Sequence, residues 1–156
     1  MKYCNAMKYL VLMMISTLLA AGVCHAKEPH IEQVRYELYG GRIQLSEALS
    51  IAPYFILYSY SSRLSSEKPR RMEAVVEDSC WHKLLAAFKL ETFKKIKEFG
   101  SAGDLGIPDK KVTITMSDGE KFSIVNPIKD EHYESISGFF AQLDSLRNEY
   151  NKSSKP

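Results

Sequence analysis

Two short groupings of reactive side chains stand out, and each tests a different nucleophilic chemistry. Cys80 and His82 pair a thiol with a base, as a cysteine hydrolase requires. Two residues apart on a helix, they point about 160° from each other and cannot hydrogen-bond directly. Ser65 and Lys68 match the SxxK pattern of serine acyl enzymes, but Pro69 follows at once and favours a loop where that chemistry needs a helix. We therefore expect no catalytic residues and a non-enzymatic protein.

The histidines and carboxylates also fall short of a metal site. Asp78 and His82 lie four residues apart, so they share one helix face and offer two ligands. A zinc site takes three or four protein ligands, and the remaining histidines of the exported chain, His30 and His132, lie far away in the sequence. We expect no metal and no cofactor, with Asp78 or Ser79 acting instead as a helix cap.

Tyrosine is the residue type that best suits binding in this chain, which has nine of them. Tyr54, Tyr58 and Tyr60 share one face of a predicted strand, and tyrosine combines a large contact area with a polar tip. If helices cover the opposite face, that of Phe55 and Leu57, the three tyrosines form a docking surface. If helices cover the tyrosines, these residues belong to the core, which is the favoured outcome, or line an apolar pocket. They are the candidate binding residues.

The N-terminus predicts export. Lys2 and Lys8 form a positively charged start, and residues 9–24 run without a charge, which is too short for a membrane span and sufficient for a signal peptide. We expect residues 1–26 to be a signal peptide cleaved after Ala26, which makes the protein secreted or periplasmic with no stable membrane span. A lipoprotein acylated on Cys24 and an uncleaved anchor are the alternatives.

Composition then excludes other classes of function. Removal of residues 1–26 takes away two bases and leaves 19 bases against 19 acids, so the exported chain lacks the positive field that nucleic-acid binding uses. Cys80 is its single cysteine, and an internal disulfide is therefore excluded; its apolar helix neighbours predict burial. The length predicts one domain, residues 27–150, followed by a flexible tail over residues 151–156.

Hydrophobic periodicity places these residues on an α+β fold. Alternation predicts strands, apolar residues that recur every three to four positions predict helices, and Asp118-Gly119 predicts a two-residue type I′ hairpin. The predicted strands cover residues 31–39, 54–62, 72–76, 112–116 and 121–125, residues 42–50 form a short strand or an irregular stretch, and the predicted helices cover residues 78–89, 92–99 and 130–150. We expect an antiparallel sheet of four to five strands, in the order β-β-β-α-β-β-α, covered on one face by two helices.

This layout resembles a group of small exported bacterial proteins of uncharacterised function and, more distantly, the emfourin-type inhibitors of thermolysin-like metallopeptidases. The residues that carry the resemblance are Gly40-Gly41, Trp81 with Leu84-Leu85, Pro108-Asp109, Asp118-Gly119 and the closing amphipathic helix. The resemblance spans about Val34 to Leu146 and implies protein binding, although it assigns no inhibitory residue to this chain.

We therefore expect an exported module that binds another exported or envelope protein, with inhibition of a hydrolase as one form of that role. The alternative is a carrier or sensor of a small apolar ligand held between sheet and helices in the cell envelope. That alternative requires a cavity lined by residues such as Phe88, Phe139 and Phe140.

Overall fold

The computed structural model describes residues 28–101 and 106–155. Three expectations concern residues outside those ranges: the signal peptide over residues 1–26, its cleavage after Ala26 and the acylation of Cys24. Each of them stays a prediction.

A six-stranded antiparallel sheet forms the centre of the fold. Its strands are β1 (Ile31–Gly40), β2 (Leu45–Ala52), β3 (Phe55–Ser62), β4 (Arg70–Val75), β5 (Pro108–Met116) and β6 (Lys121–Val125). They lie in the order β4-β3-β2-β1-β5-β6, and every neighbouring pair is antiparallel. The α+β class and the antiparallel sheet are confirmed, whereas the predicted four to five strands and two helices are fewer than the six strands and four helices described.

The additional strand is β2. The sequence predicts either a short strand or an irregular stretch in this region, over residues 42–50. Leu45, Leu49 and Ile51 form an apolar row toward the helices, but Glu47 stands in the same row and is also buried. An acid at an inward position breaks the alternation that identifies a strand. The opposite row holds only serine and alanine, and most of these residues are buried as well. A strand buried on both sides has no exposed face to mark its period.

Four helices are described, and their apolar residues join one face of the sheet in a single core. They are α1 (Asp78–Ala86), α2 (Leu90–Phe93), α3 (Glu131–Ser135) and α4 (Ser137–Ser153). The long C-terminal helix of the prediction is divided at Ile136, whose backbone leaves the helical region at φ −126° and ψ 22°. Helix α4 continues three residues beyond its predicted end at Tyr150. None of the described helices is long and apolar enough to cross a membrane.

Helices α3 and α1 begin in different ways, because only α3 has a side-chain cap. Asp130 caps α3, because its carboxylate accepts hydrogen bonds from the backbone N–H groups of Tyr133 at 2.9 Å and His132 at 3.0 Å. These bonds lower the pKa of Asp130 below its ordinary value, and the bond from Tyr133 has the largest effect. Helix α1 begins at Asp78 after Glu77, whose side chain makes no capping bond, so the expected cap at Asp78 or Ser79 is wrong.

Aromatic rings fill the space between the sheet and the helices. Phe139 and Phe140 are fully buried, and the ring of Phe139 lies 4.8 Å from that of Phe88 and 5.5 Å from that of Phe140, centroid to centroid. Burial of each such ring contributes roughly 1.5–3 kcal/mol to folding. The three rings thus contact one another where the ligand-carrier alternative expects them to line a cavity. Phe99, at the end of the helix predicted over residues 92–99, is exposed, and the helix itself ends at Phe93.

The hairpin at Asp118-Gly119 joins β5 to β6, as predicted, but its turn is of another type. The N–H of Met116 donates to the carbonyl of Glu120, and the N–H of Gly119 donates to the carbonyl of Met116, each at 2.9 Å. Gly119 has a positive φ of 89°, while Asp118 is not left-handed, so the loop has three residues with glycine in the left-handed position.

Candidate functional site

The structure separates the three tyrosines that were the candidate binding residues. Tyr58 and Tyr60 lie on the helix-covered face and are buried, whereas Tyr54 lies in the turn before β3 and is 79% exposed. The three therefore do not form one docking surface. Tyr58 and Tyr60 are core residues, because the apolar stripe of α4 packs over the sheet face that carries them.

A buried acid explains why Tyr58 points inward. Its hydroxyl donates to Glu47 Oε1 at 2.8 Å, and Arg147 Nη1 of α4 donates to Glu47 Oε2 at 3.1 Å. Glu47 is only 3% exposed, so these two donors replace the water that its charge would otherwise need. Burial, and then the hydrogen bond to Glu47, raises the pKa of Tyr58. The triad joins β2 and β3 to α4.

A second polar cluster joins β1 and β5 to the same helix. The hydroxyl of Tyr36 donates to Asp144 Oδ1 at 2.6 Å, and Lys110 Nζ donates to Asp144 Oδ2 at 3.0 Å. Burial, and then the hydrogen bond to Asp144, raises the pKa of Tyr36 strongly. In each cluster one acid, Glu47 or Asp144, accepts hydrogen bonds from one tyrosine hydroxyl and one cationic side chain. Both clusters therefore attach α4 to the sheet.

Arg70 fixes the end of α4 to the edge of the sheet. Its guanidinium lies 4.2 Å from the centroid of the Tyr60 ring, and its Nη1 donates to the backbone carbonyl of Asn151 at 3.3 Å. Nη2 also pairs with Glu67 at 3.0 Å. A shallow cleft of about 450 Å³ beside it is lined by Glu67, Lys68, Arg70 and Lys155. Arg70 is therefore already engaged by the fold.

Cys80, His82 and Asp78, the candidates for nucleophilic and metal chemistry, lie away from these clusters. Cys80 is half-buried on α1, and burial raises the pKa of its thiol, which disfavours the reactive thiolate. His82 Nε2 and Asp78 Oδ2 lie 3.3 Å apart on the exposed face of the same helix, as their spacing predicts. Within residues 28–101 and 106–155, no group of three or more His, Cys, Asp or Glu side chains is placed to hold a metal ion.

The surface feature best suited to binding is a groove that the sequence did not indicate. Phe99, Ile107 and Ile128 are exposed by 67%, 57% and 38%, and they line one depression of about 430 Å³. We call it the apolar groove. Its remaining lining residues are Pro108, Lys110, Asn126, Pro127, Lys129 and Tyr133.

Backbone hydrogen bonds hold the walls of the apolar groove in place. The N–H of Phe99 donates to the carbonyl of Asn126 at 3.1 Å, and the N–H of Ile128 donates to the carbonyl of Lys97 at 2.9 Å. Asn126 adopts a left-handed φ of 48°, and its side-chain amide donates to the carbonyl of Gly100 and to Asp109 Oδ1. Phe99 and Ile128 therefore project from hydrogen-bonded backbone, which lowers the entropy cost of ordering them on binding.

A second apolar surface lies at the opposite edge of the sheet. Val75 of β4 is 88% exposed, and it lies directly across from Phe55 of β3, which is 48% exposed. Tyr54 precedes Phe55 in the chain. We call these three residues the edge patch.

No protein-family model matches the chain, and no curated protein is similar to it in sequence. The resemblance to emfourin-type inhibitors therefore stays a prediction.

Proposed function

We propose that this chain is an exported, non-enzymatic module that binds another exported or envelope protein through the apolar groove. The observation that carries the proposal is the exposure of Phe99, Ile107 and Ile128 around a single depression. Covering contiguous apolar surface of this kind lowers the free energy by about 25 cal/mol for each Å² that a partner removes from water.

The chemistry of the groove indicates what the partner presents. Its apolar walls suit a large apolar side chain, and its volume of about 430 Å³ accommodates such an anchor. Lys129 on the rim is exposed, and it suits an acidic group beside that anchor. Lys110 is already paired with Asp144. The partner segment therefore combines an apolar anchor with a neighbouring carboxylate.

Two observations favour protein binding over the carrier of an apolar ligand. The apolar groove is open at the surface, and the rings of Phe88, Phe139 and Phe140 are packed against one another. A hydrolase is the class of partner that the resemblance to metallopeptidase inhibitors implies.

Phe99→Ser tests the proposal against a matched control. Phe99 and Leu64 are 67% and 65% exposed, and Leu64 lies outside the groove, so Leu64→Ser removes equivalent apolar surface elsewhere. A partner is first identified by cross-linking from Ile107 in the exported fraction, then purified and titrated. We expect Phe99→Ser to weaken binding by about tenfold or more and Leu64→Ser to leave it unchanged. Equal affinity for Phe99→Ser and the parent chain would exclude the groove.

A further inference from the structure

The outer edge of β4 is an unpaired strand edge. Arg70–Val75 is the last strand on its side of the sheet, and no described strand lies beyond it. Its pairing with β3 runs in one continuous register, without a bulge, and the strand contains no proline. Such an edge presents backbone N–H and C=O groups that a further strand can pair with.

The exposed side chains of β4 alternate in charge along the strand. Arg71, Glu73 and Val75 lie on the sheet face away from the helices, and Arg71 Nη2 pairs with Glu73 Oε1 at 2.8 Å. Directly opposed residues in antiparallel strands interact most strongly, and like charges there are destabilising. The order of these charges therefore determines which strand, and which register, the edge accepts.

One register makes β4 complementary to itself. When two copies of β4 run antiparallel about a two-fold axis at Met72, Arg71 of each copy lies opposite Glu73 of the other. A shift of the axis by one residue in either direction places Arg71 opposite Arg71 or Glu73 opposite Glu73. The complementary register also places Val75 opposite Pro69 of the second copy, which covers part of the edge patch.

We propose that a second copy of this chain occupies the β4 edge, joined antiparallel about Met72 into a continuous twelve-stranded sheet. The two-fold axis is perpendicular to the sheet, so the helices of both copies lie on one side. The exported chain carries 19 bases and 19 acids, and long-range repulsion does not oppose the association. This inference is independent of the apolar groove, which lies at the β5–β6 side of the sheet.

Charge reversal with complementation tests the register. Arg71→Glu places Glu opposite Glu, Glu73→Arg places Arg opposite Arg, and both should raise the dimer dissociation constant by about tenfold or more. The double variant restores the opposed pairs and should restore the dimer. A mixture of the two single variants should form a mixed dimer, because each then meets the opposite charge. Sedimentation velocity of the purified exported chain, and native mass spectrometry for the mixture, measure these outcomes.

The same ion pair on an inner strand provides the control. Arg35 and Glu37 of β1 pair at 2.9 Å two residues apart, and β1 lies between β2 and β5. Arg35→Glu should therefore leave the dimer unchanged. Arg71 and Glu73 are well exposed, so their reversal should leave the thermal midpoint nearly unchanged when it is measured at a dilution at which the parent chain is monomeric. A monomeric parent chain at about 100 µM, or failure of the two single variants to associate, would overturn the proposal.

Discussion

At the scale of single residues, the buried Glu47 links the sheet to the C-terminal helix. A carboxylate that is 3% exposed costs several kcal/mol to desolvate unless donors surround it, and Tyr58 and Arg147 supply them. Because Arg147 belongs to α4 and Glu47 to β2, a shift of the helix that left Glu47 buried would deprive its carboxylate of one of these two donors. The polar triad thereby specifies where α4 rests.

Tyr58→Phe should reduce the free energy of unfolding by about 2 kcal/mol, because it removes a buried hydrogen bond to a charged group. The matched control is Tyr54→Phe: Tyr54 is 79% exposed, and its hydroxyl makes no hydrogen bond within the described structure, so the change should stay within about 0.5 kcal/mol. Urea unfolding at neutral pH measures both. Equal effects of the two substitutions would show that the bond to Glu47 contributes nothing.

Alkaline pH should destabilise the protein through its buried tyrosines. Burial raises the pKa of Tyr36 and of Tyr58 in the folded state, above the ordinary value of 10.0. Their contribution to stability is complete below pH 10 and declines as the pH rises further, because only the unfolded chain then releases these protons. Each tyrosine adds a slope of about 1.4 kcal/mol per pH unit.

Tyr36→Phe isolates this effect from the titration of lysines. Unfolding free energies of the parent chain and the variant are measured between pH 9 and pH 11.5. The two curves should run nearly parallel below pH 10, and above it the variant should decline less steeply, by up to about 1.4 kcal/mol per pH unit. Curves that stay parallel above pH 10 would mean that Tyr36 titrates alike in both states.

At the scale of elements, turns and helix starts determine how the strands meet. Gly41 adopts a φ of 68° in the turn between β1 and β2, and a Cβ there would lie 2.8 Å from the backbone nitrogen of Pro108. The first hairpin and the start of β5 therefore depend on the absence of a side chain. Gly138 in α4 is helical, and a Cβ would meet only the Cβ of Ala87, at 3.7 Å.

Alanine at these two glycines should act in opposite directions. Gly41→Ala should cost about 2 kcal/mol or more, because it combines a left-handed backbone with a collision against main-chain atoms. Gly138→Ala should stabilise the protein by about 0.5 kcal/mol, because alanine loses less backbone entropy in a helix. Denaturant unfolding of both variants provides the test, and a neutral Gly41→Ala would contradict the geometry.

At the scale of the whole molecule, the two proposed interaction surfaces lie near opposite edges of one sheet. The edge patch and the free backbone edge lie at β4, and the apolar groove is built on Pro108 of β5 and on Asn126, directly after β6. With β4 paired to a second copy, both grooves stay accessible. The fold then presents two equivalent grooves on one assembly, which raises the effective affinity for a partner that offers two segments.

Local patterns were sufficient for most of the fold. Alternation identified β1, β3, β4, β5 and β6, and the apolar stripe of the C-terminal helix identified the element that covers the sheet. Asp118-Gly119 located the hairpin between β5 and β6, although neighbouring residues selected a three-residue loop. These features depend on the chemistry of residues close together in the chain, so the sequence alone predicts them.

What the sequence determined by itself is therefore the fold class, the antiparallel pairing and the identity of most core residues. Only the tertiary structure decided that Glu47 belongs to a strand, that Tyr58 and Tyr60 face the helices and that Phe99 stands in the solvent. Each of these outcomes depends on a distant partner, as Arg147 lies 100 residues from Glu47 and Asn126 holds the backbone of Phe99. The burial of a residue is determined by what packs against it, and local spacing contains no information about contacts between residues so far apart in the sequence.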